Sequence, residues 1–188
     1  MIEFKYNKNG ELEAYENGIK IGKMDQTPKW MFPNAFKKEE KETSIFNLDR
    51  FISAQKIAHE TAKQELMNGK KESHYMWYIF PQHKDLGYSK RSKYYGLESI
   101  EEAKQYYKND YLSSNLNELL NILLNLETSD AYSIFGYIDY YKFQSSLTIF
   151  YLATNEDIFK KVLDKYYEGK LDDNTVKLLE DEINLMNI

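Results

Sequence analysis

The chain has 188 residues, of which 42% are hydrophobic and 29% charged, with only 3 Pro and 8 Gly and a net charge of −5 at pH 7. This composition suits one folded domain with a small extension and excludes a collagenous or disordered chain. It contains no cysteine, which excludes disulfides, thiol catalysis and cysteine-based zinc sites, and its interleaved charges form no large basic field, which disfavours nucleic-acid binding.

Residues 1–24 predict a small antiparallel β-meander. Asn9-Gly10 and Asn17-Gly18 are hairpin-turn signals, because both turn positions need positive φ, and Ile2, Phe4 and Tyr6 alternate with polar residues. The open edges of such a meander would suit pairing with a second copy of the chain, a homo-oligomer through the N-terminal strands. Residues 25–44, with Pro28, Pro33 and the charge run Lys37 to Glu42, read as a connector. No apolar stretch of signal-peptide length opens the chain, and no run reaches the roughly 20 apolar residues of a membrane span. The expectation is a cytoplasmic protein with no membrane contact.

From Asn47 onward the pattern is helical. Leu48, Phe51-Ile52, Gln55, Ala58-His59, Ala62 and Leu66 recur at three- and four-residue steps, with Asn47 as the expected cap and Gly69 as the expected stop. Tyr75 to Phe80 is an unbroken apolar and aromatic run, expected to be a second, buried helix ending before Pro81. Its flanking residues Ser73, His74 and Gln82 are polar and must find partners if buried. Ser89 can cap a short helix through Tyr95, and Ser99 with Glu102 forms a capping box opening a helix to Lys108. Residues 111–127 carry a leucine stripe. Asp130 caps a turn ending at Gly136, and Asp139 to Ala153 is apolar over much of its surface. Asn155 is expected to cap 156–167, Gly169 to end it, and Asn174 to cap the last helix. Strand and helix do not alternate, so the predicted fold class is mainly α: a single compact multi-helix domain over 45–188 preceded by the meander.

Several of these segments carry a family resemblance. Phe46-Asn47-Leu48-Asp49-Arg50-Phe51 with Ala54-Gln55, then Gly69-Lys70-Lys71 leading into Ser73 to Gln82 and Leu86-Gly87-x-Ser89, and finally Ile134-Phe135-Gly136, Asp139, Lys142 and Ser145 to Phe150 resemble the bacterial domain-of-unknown-function family 1810 (DUF1810) over about residues 46–180. Tyr75, Tyr78 and Leu147 stand where family members typically carry Trp, Phe and Met, changes that keep side-chain shape. The resemblance implies an all-helical single domain and supplies no activity and no cofactor. A shorter, gapped similarity, Ser99 to Ala103 and Lys142-Phe143-Gln144, is to the NADAR family, which implies a ligand of ADP-ribose type.

The matched blocks hold Arg50, Gln55, Lys70, Ser73, His74, Gln82, Ser89, Asp139, Lys142, Ser145 and Ser146. One reading makes them helix caps and partners of backbone groups around an aromatic core. The protein would then be a protein–protein interaction module without catalytic activity. The other brings several of them together in a concave site for a small anionic ligand, nucleotide or ADP-ribose-like and open to hydrolysis. In that site Arg50, Lys70 and Lys142 would meet the anion, and Ser89 lies at a helix start that favours one. Trp77 or Tyr95 would stack on a flat ring. Ser73, Gln82 and Ser146 would supply hydrogen bonds, and His74 or Asp139 a general base. The three histidines lack the spacing of zinc hydrolases, so no metal is expected. No Gly-x-Ser-x-Gly elbow is present, which argues against a serine hydrolase.

Overall fold

The computed structural model describes residues 2–6, 12–16, 18–23 and 46–186. The chain divides into two units, residues 1–43 and 44–188. In the first, strands β1 (Ile2–Tyr6), β2 (Leu12–Glu16) and β3 (Ile19–Lys23) pair antiparallel in that order. Ile2 lies opposite Glu16 and Tyr6 opposite Leu12, and a bulge between Ala14 and Tyr15 shifts the second register. The connector expected over 25–44 and the turn at Asn9-Gly10 lie outside the described residues.

The second unit is helical and carries the candidate site. α1 (Asp49–Met67) buries Phe51, Gln55, Ala62 and Leu66 along one stripe and packs on α5 (Asp110–Asn125), whose stripe is Leu112, Leu116, Leu119, Leu120 and Leu123. The residue before α1 is Leu48, which makes no side-chain cap. Asn47, the expected cap, instead gives its carbonyl to Arg50 at 2.5 Å. The aromatic run forms only a single helical turn, α2 (Met76–Ile79), and is not buried all round: Tyr75, Met76, Ile79 and Phe80 are buried, whereas Trp77 and Tyr78 are half-exposed. Pro81 and the return of the chain stop it. Leu97 N–H donates to Gln82 C=O and Lys84 N–H to Leu97 C=O, both at 2.9 Å, a parallel bridge that draws the chain after α2 against residues 96–97. Gly96 permits this approach, since a Cβ there would sit 2.3 Å from the Cα of Lys84.

A 3-10 turn at Lys84–Leu86 leads to α3 (Lys90–Tyr94), which Ser89 caps. α4 (Ile100–Lys108) opens on Ser99 with the expected capping bond to Glu102. Asn109 then caps α5. The central element is α6 (Ala131–Thr154), which Asp130 caps. It breaks at Gly136, whose φ of 74° and ψ of 172° lie in a region essentially reserved for glycine. Beyond the break α6 is buried on most sides, Phe143 and Ser145 to Phe150 included, and it packs against α4, α7 (Asp157–Tyr167) and α8 (Asp173–Leu178). Asn155 is not the cap of α7. It closes α6 in the left-handed conformation at φ 55°, and Glu156 precedes α7. Asp172, rather than Asn174, caps α8, and a further helix, α9 (Glu180–Met186), follows.

The core is aromatic at its centre. Phe143 stacks on Phe135 at 4.5 Å and meets Phe80 edge-on at 4.9 Å, and Phe150 stacks on Phe159 at 5.5 Å. The buried Gln55 is satisfied internally: its amide donates to Tyr78 C=O at 2.6 Å and contacts Tyr106 Oη at 2.7 Å, while Asn115 donates to Gln55 Oε1 at 3.0 Å. Arg50 and Glu102 pair at 2.7 Å with 8% and 1% of their side chains exposed.

Candidate functional site

The chain leaves α1 through Gly69 and crosses the first half of α6, where Lys71 N–H donates to Ile134 C=O at 2.8 Å. Glu65, near the end of α1, ties down the following turn. Its carboxylate accepts from Glu72 N–H at 2.7 Å, from Ser73 N–H at 2.9 Å and from the Ser73 hydroxyl. Burial pushes the Glu65 pKa up, but these donors outweigh burial and hold it below the usual carboxylate range. Ser73 is therefore a structural clamp that sets where His74 and Trp77 lie.

Two depressions adjoin across Trp77. The first, about 500 Å³, lies between Lys71, His74 and Trp77 on one side and Gly136, Asp139 and Lys142 on the other, over a floor of Met76 and Phe135. The second, about 520 Å³, lies between Gln82, Ser89, Tyr141, Ser145, Asp172 and Asn174. Trp77, Tyr137, Ile138 and Lys142 border both, so the two form one groove. Lys142 Nζ sits 5.4 Å from the centroid of Trp77 and Arg91 Cζ 5.1 Å from it, within range of cation–π attraction. The break at Gly136 is what allows α6 to present both Phe135 and the turn that follows it to the first depression.

Asp139 anchors the first depression. Lys142 Nζ is 2.8 Å from its Oδ1 and Lys71 Nζ 2.7 Å from its Oδ2, and only 6% of the Lys71 side chain is exposed. Burial raises the Asp139 pKa, yet the two ammonium groups outweigh it and hold the carboxyl below its ordinary 3.8. A carboxylate so engaged is a weak base, and its role here is to fix two ammonium groups at the groove. Its folded pKa is lower than its unfolded one, so its contribution to stability is complete above about pH 3.8 and is lost as pH falls through the folded value. Asp139→Asn is therefore expected to lower the urea midpoint at pH 7 and to lie closer to wild type at pH 3. An equal gap at both pH values would contradict this sign.

His74 is exposed on the first depression, its ring 6.5 Å from Trp77, and hydrogen-bonds to none of the described residues. Gln82 and Ser89 line the second, Ser89 as the cap of α3. Five residues lie elsewhere. Arg50 is taken up by Glu102 and by the carbonyls of Asn47 and Gly96. Lys70 points to solvent beside Glu72. Ser73 is held by Glu65. Tyr95 packs on Phe51, Tyr78 and Tyr94. Ser146 is 1% exposed within α6 and borders neither depression. Conversely, Tyr137, Tyr141 and Asp172, which line the groove, were not among the residues expected at the site, and Lys71 lines it in place of Lys70. Lys71 is one residue past Lys70, and the turn at Gly69 decides which of the two faces inward.

Among the described residues no group of three or more His, Cys, Asp or Glu could hold a metal ion, and no helix is long and apolar enough to cross a membrane. None of the curated proteins matches the chain. Among solved structures it is similar to a conserved hypothetical protein, Rv1873, from Mycobacterium tuberculosis: 38% identity, TM-score 0.70, covering 72% of this chain and 97% of the other. The family model described as a protein of unknown function, DUF1810, matches residues 45–179. The chain belongs to the DUF1810 family.

Proposed function

We propose that the helical domain binds a small anionic ligand of the nucleotide or ADP-ribose class in the groove across Trp77. The observation that carries this reading is the position of Lys142: it faces the Trp77 ring and, with Lys71, is held on Asp139 where the two depressions meet. A fixed positive charge beside a half-exposed indole suits a phosphate joined to a flat ring. Phosphate oxygens accept from Lys71, Lys142 and His74, and the ring packs on Trp77. For hydrolysis of such a ligand the base on offer is His74, since Asp139 is engaged by both lysines.

Thermal unfolding with a panel of nucleotides and ADP-ribose tests this. At about 100 times Kd a ligand of the native state adds roughly 2.7 kcal/mol of stability, so at least one member of the panel raises the Tm. Lys142→Ala, a half-exposed position, removes that rise while keeping the fold. A panel without effect on wild type contradicts the proposal. A second reading, an interaction module with no activity, draws on the apolar exposure of Tyr88, Tyr137 and Ile138, at 96%, 63% and 66%, and on β1 and β3 as the end strands of the sheet among the described residues. It would gain from the same null titration.

A further inference from the structure

The walls of the second depression differ in chemistry from those of the first. Asp172 has one oxygen fully used: its Oδ2 accepts from Thr175 N–H at 2.9 Å, Thr175 Oγ1 at 2.6 Å and Ser145 Oγ at 3.0 Å. Asp172 N–H in turn donates to Thr148 Oγ1 at 2.9 Å. These bonds fix the carboxylate, and its Oδ1 has no partner among the described residues. The side-chain amides of Gln82 and Asn174, on the same lining, likewise bond to none of the described residues. The groove thus holds, in one depression, a rigid free carboxylate oxygen and two uncommitted amides.

That set selects against an anion and for neutral hydroxyls. A carboxylate oxygen accepts only, whereas an amide donates and accepts. A pair of ligand hydroxyls can donate to the first and exchange hydrogen bonds with the second, and hydrogen bonds to a charged acceptor are the stronger kind. Leu86 and Tyr141 border the same space and suit the C–H face of a sugar ring.

We infer that the second depression is a sugar subsite that takes the ribose of a nucleotide. The 2′- and 3′-hydroxyls bond to Asp172 Oδ1 and to the Gln82 and Asn174 amides, while the phosphates lie against Lys71 and Lys142 in the first depression. This rests on the nucleotide reading of the groove and adds which part of the ligand goes where.

Calorimetric titration of the full chain with ADP, 2′,3′-dideoxyadenosine diphosphate and pyrophosphate tests it. Wild type is expected to bind ADP about tenfold or more tighter than the dideoxy compound, the size of effect expected when a site built for hydroxyls loses them. The Gln82→Ala/Asn174→Ala protein, which loses no hydrogen bond made within the described fold, is expected to lose most of that preference and to bind pyrophosphate as wild type does. Pyrophosphate binding with equal affinity for ADP and its dideoxy analogue overturns the sugar subsite and leaves the anion site standing. Binding of neither ADP nor pyrophosphate overturns both. The wild-type comparison needs no variant, so it stands even if the double substitution fails to fold.

Discussion

Glu102→Ala is expected to cost about 3–5 kcal/mol of folding stability, because it strands a buried cation. The Arg50 guanidinium has 8% of its side chain exposed, and its Nε already lacks a partner. Glu102 is its only anionic contact among the described residues, and the Gly96 carbonyl at 3.2 Å is a poor substitute. Glu102 also accepts from Glu98 N–H at 2.8 Å, and its own N–H is capped by Ser99 at 3.1 Å. One side chain thus joins the start of α4 to the start of α1. The check is a urea melt at pH 7 read as a lower midpoint with unchanged slope. The Arg50→Met/Glu102→Leu protein should lose less than Glu102→Ala, since removing both charges leaves none buried alone. A loss under about 1 kcal/mol, the size of a surface pair, would mean that Arg50 is better solvated than its burial indicates.

Phe143→Ala is expected to cost a similar amount, about 3–5 kcal/mol, for a different reason. Phe143 is fully buried and sits between Phe135 at 4.5 Å and Phe80 at 4.9 Å, with Tyr167 at 6.2 Å. It touches elements from both sides of the groove, α6 before its break and the chain just after α2, so the cavity has no single wall free to collapse. Phe143→Leu keeps most of the volume and should cost less than half as much. Thermal or urea unfolding of the two variants separates the cases. A near-neutral Phe143→Ala would show that the ring cluster is not the centre of the core. The floor of the first depression includes Phe135, which stacks on Phe143, so this substitution is also expected to loosen the site above it.

The parts of the fold that could be read from the chain are those with a long apolar stripe or a complete capping box. The stripes of α1 and α5 repeat over several turns, and the Ser99-x-x-Glu102 box forms as its spacing predicts. Where one residue type serves two purposes, the reading slips. Asn155 is a good N-cap by type, yet the left-handed conformation that Asn also tolerates puts it at the end of α6. Asp172 and Asn174 are both capping residues two positions apart, and only packing decides between them. The aromatic run 75–80 looked buried on every side because composition carries no information about a groove. Trp77 is half-exposed because α6 breaks at Gly136 and leaves room beside it.

The candidate site follows the same pattern. His74, Trp77, Gln82, Asp139 and Lys142 could be named from two blocks far apart in the chain, and the fold sets all five along one groove. Arg50 could not be told from a ligand contact, because its partner Glu102 lies 52 positions away. Lys70 and Lys71 differ only in which way a turn faces them. Arg91 and Asp172 are surface-like residues by type. Arg91 meets the Trp77 ring from α3 and Asp172 lines the second depression at the start of α8, short elements whose placement depends on tertiary contacts.

Trp77 sits where the two depressions and both cations meet, and its indole N–H is a direct reporter of occupancy. The chain has two tryptophans, so the indole region of an amide-correlation NMR spectrum holds two signals, and Trp77→Phe assigns them. With ADP added stepwise, a ligand in the groove moves the Trp77 signal saturably in wild type and leaves it in place in Lys142→Ala. A Trp77 signal that stays fixed in wild type through millimolar ADP would contradict a nucleotide site at this groove.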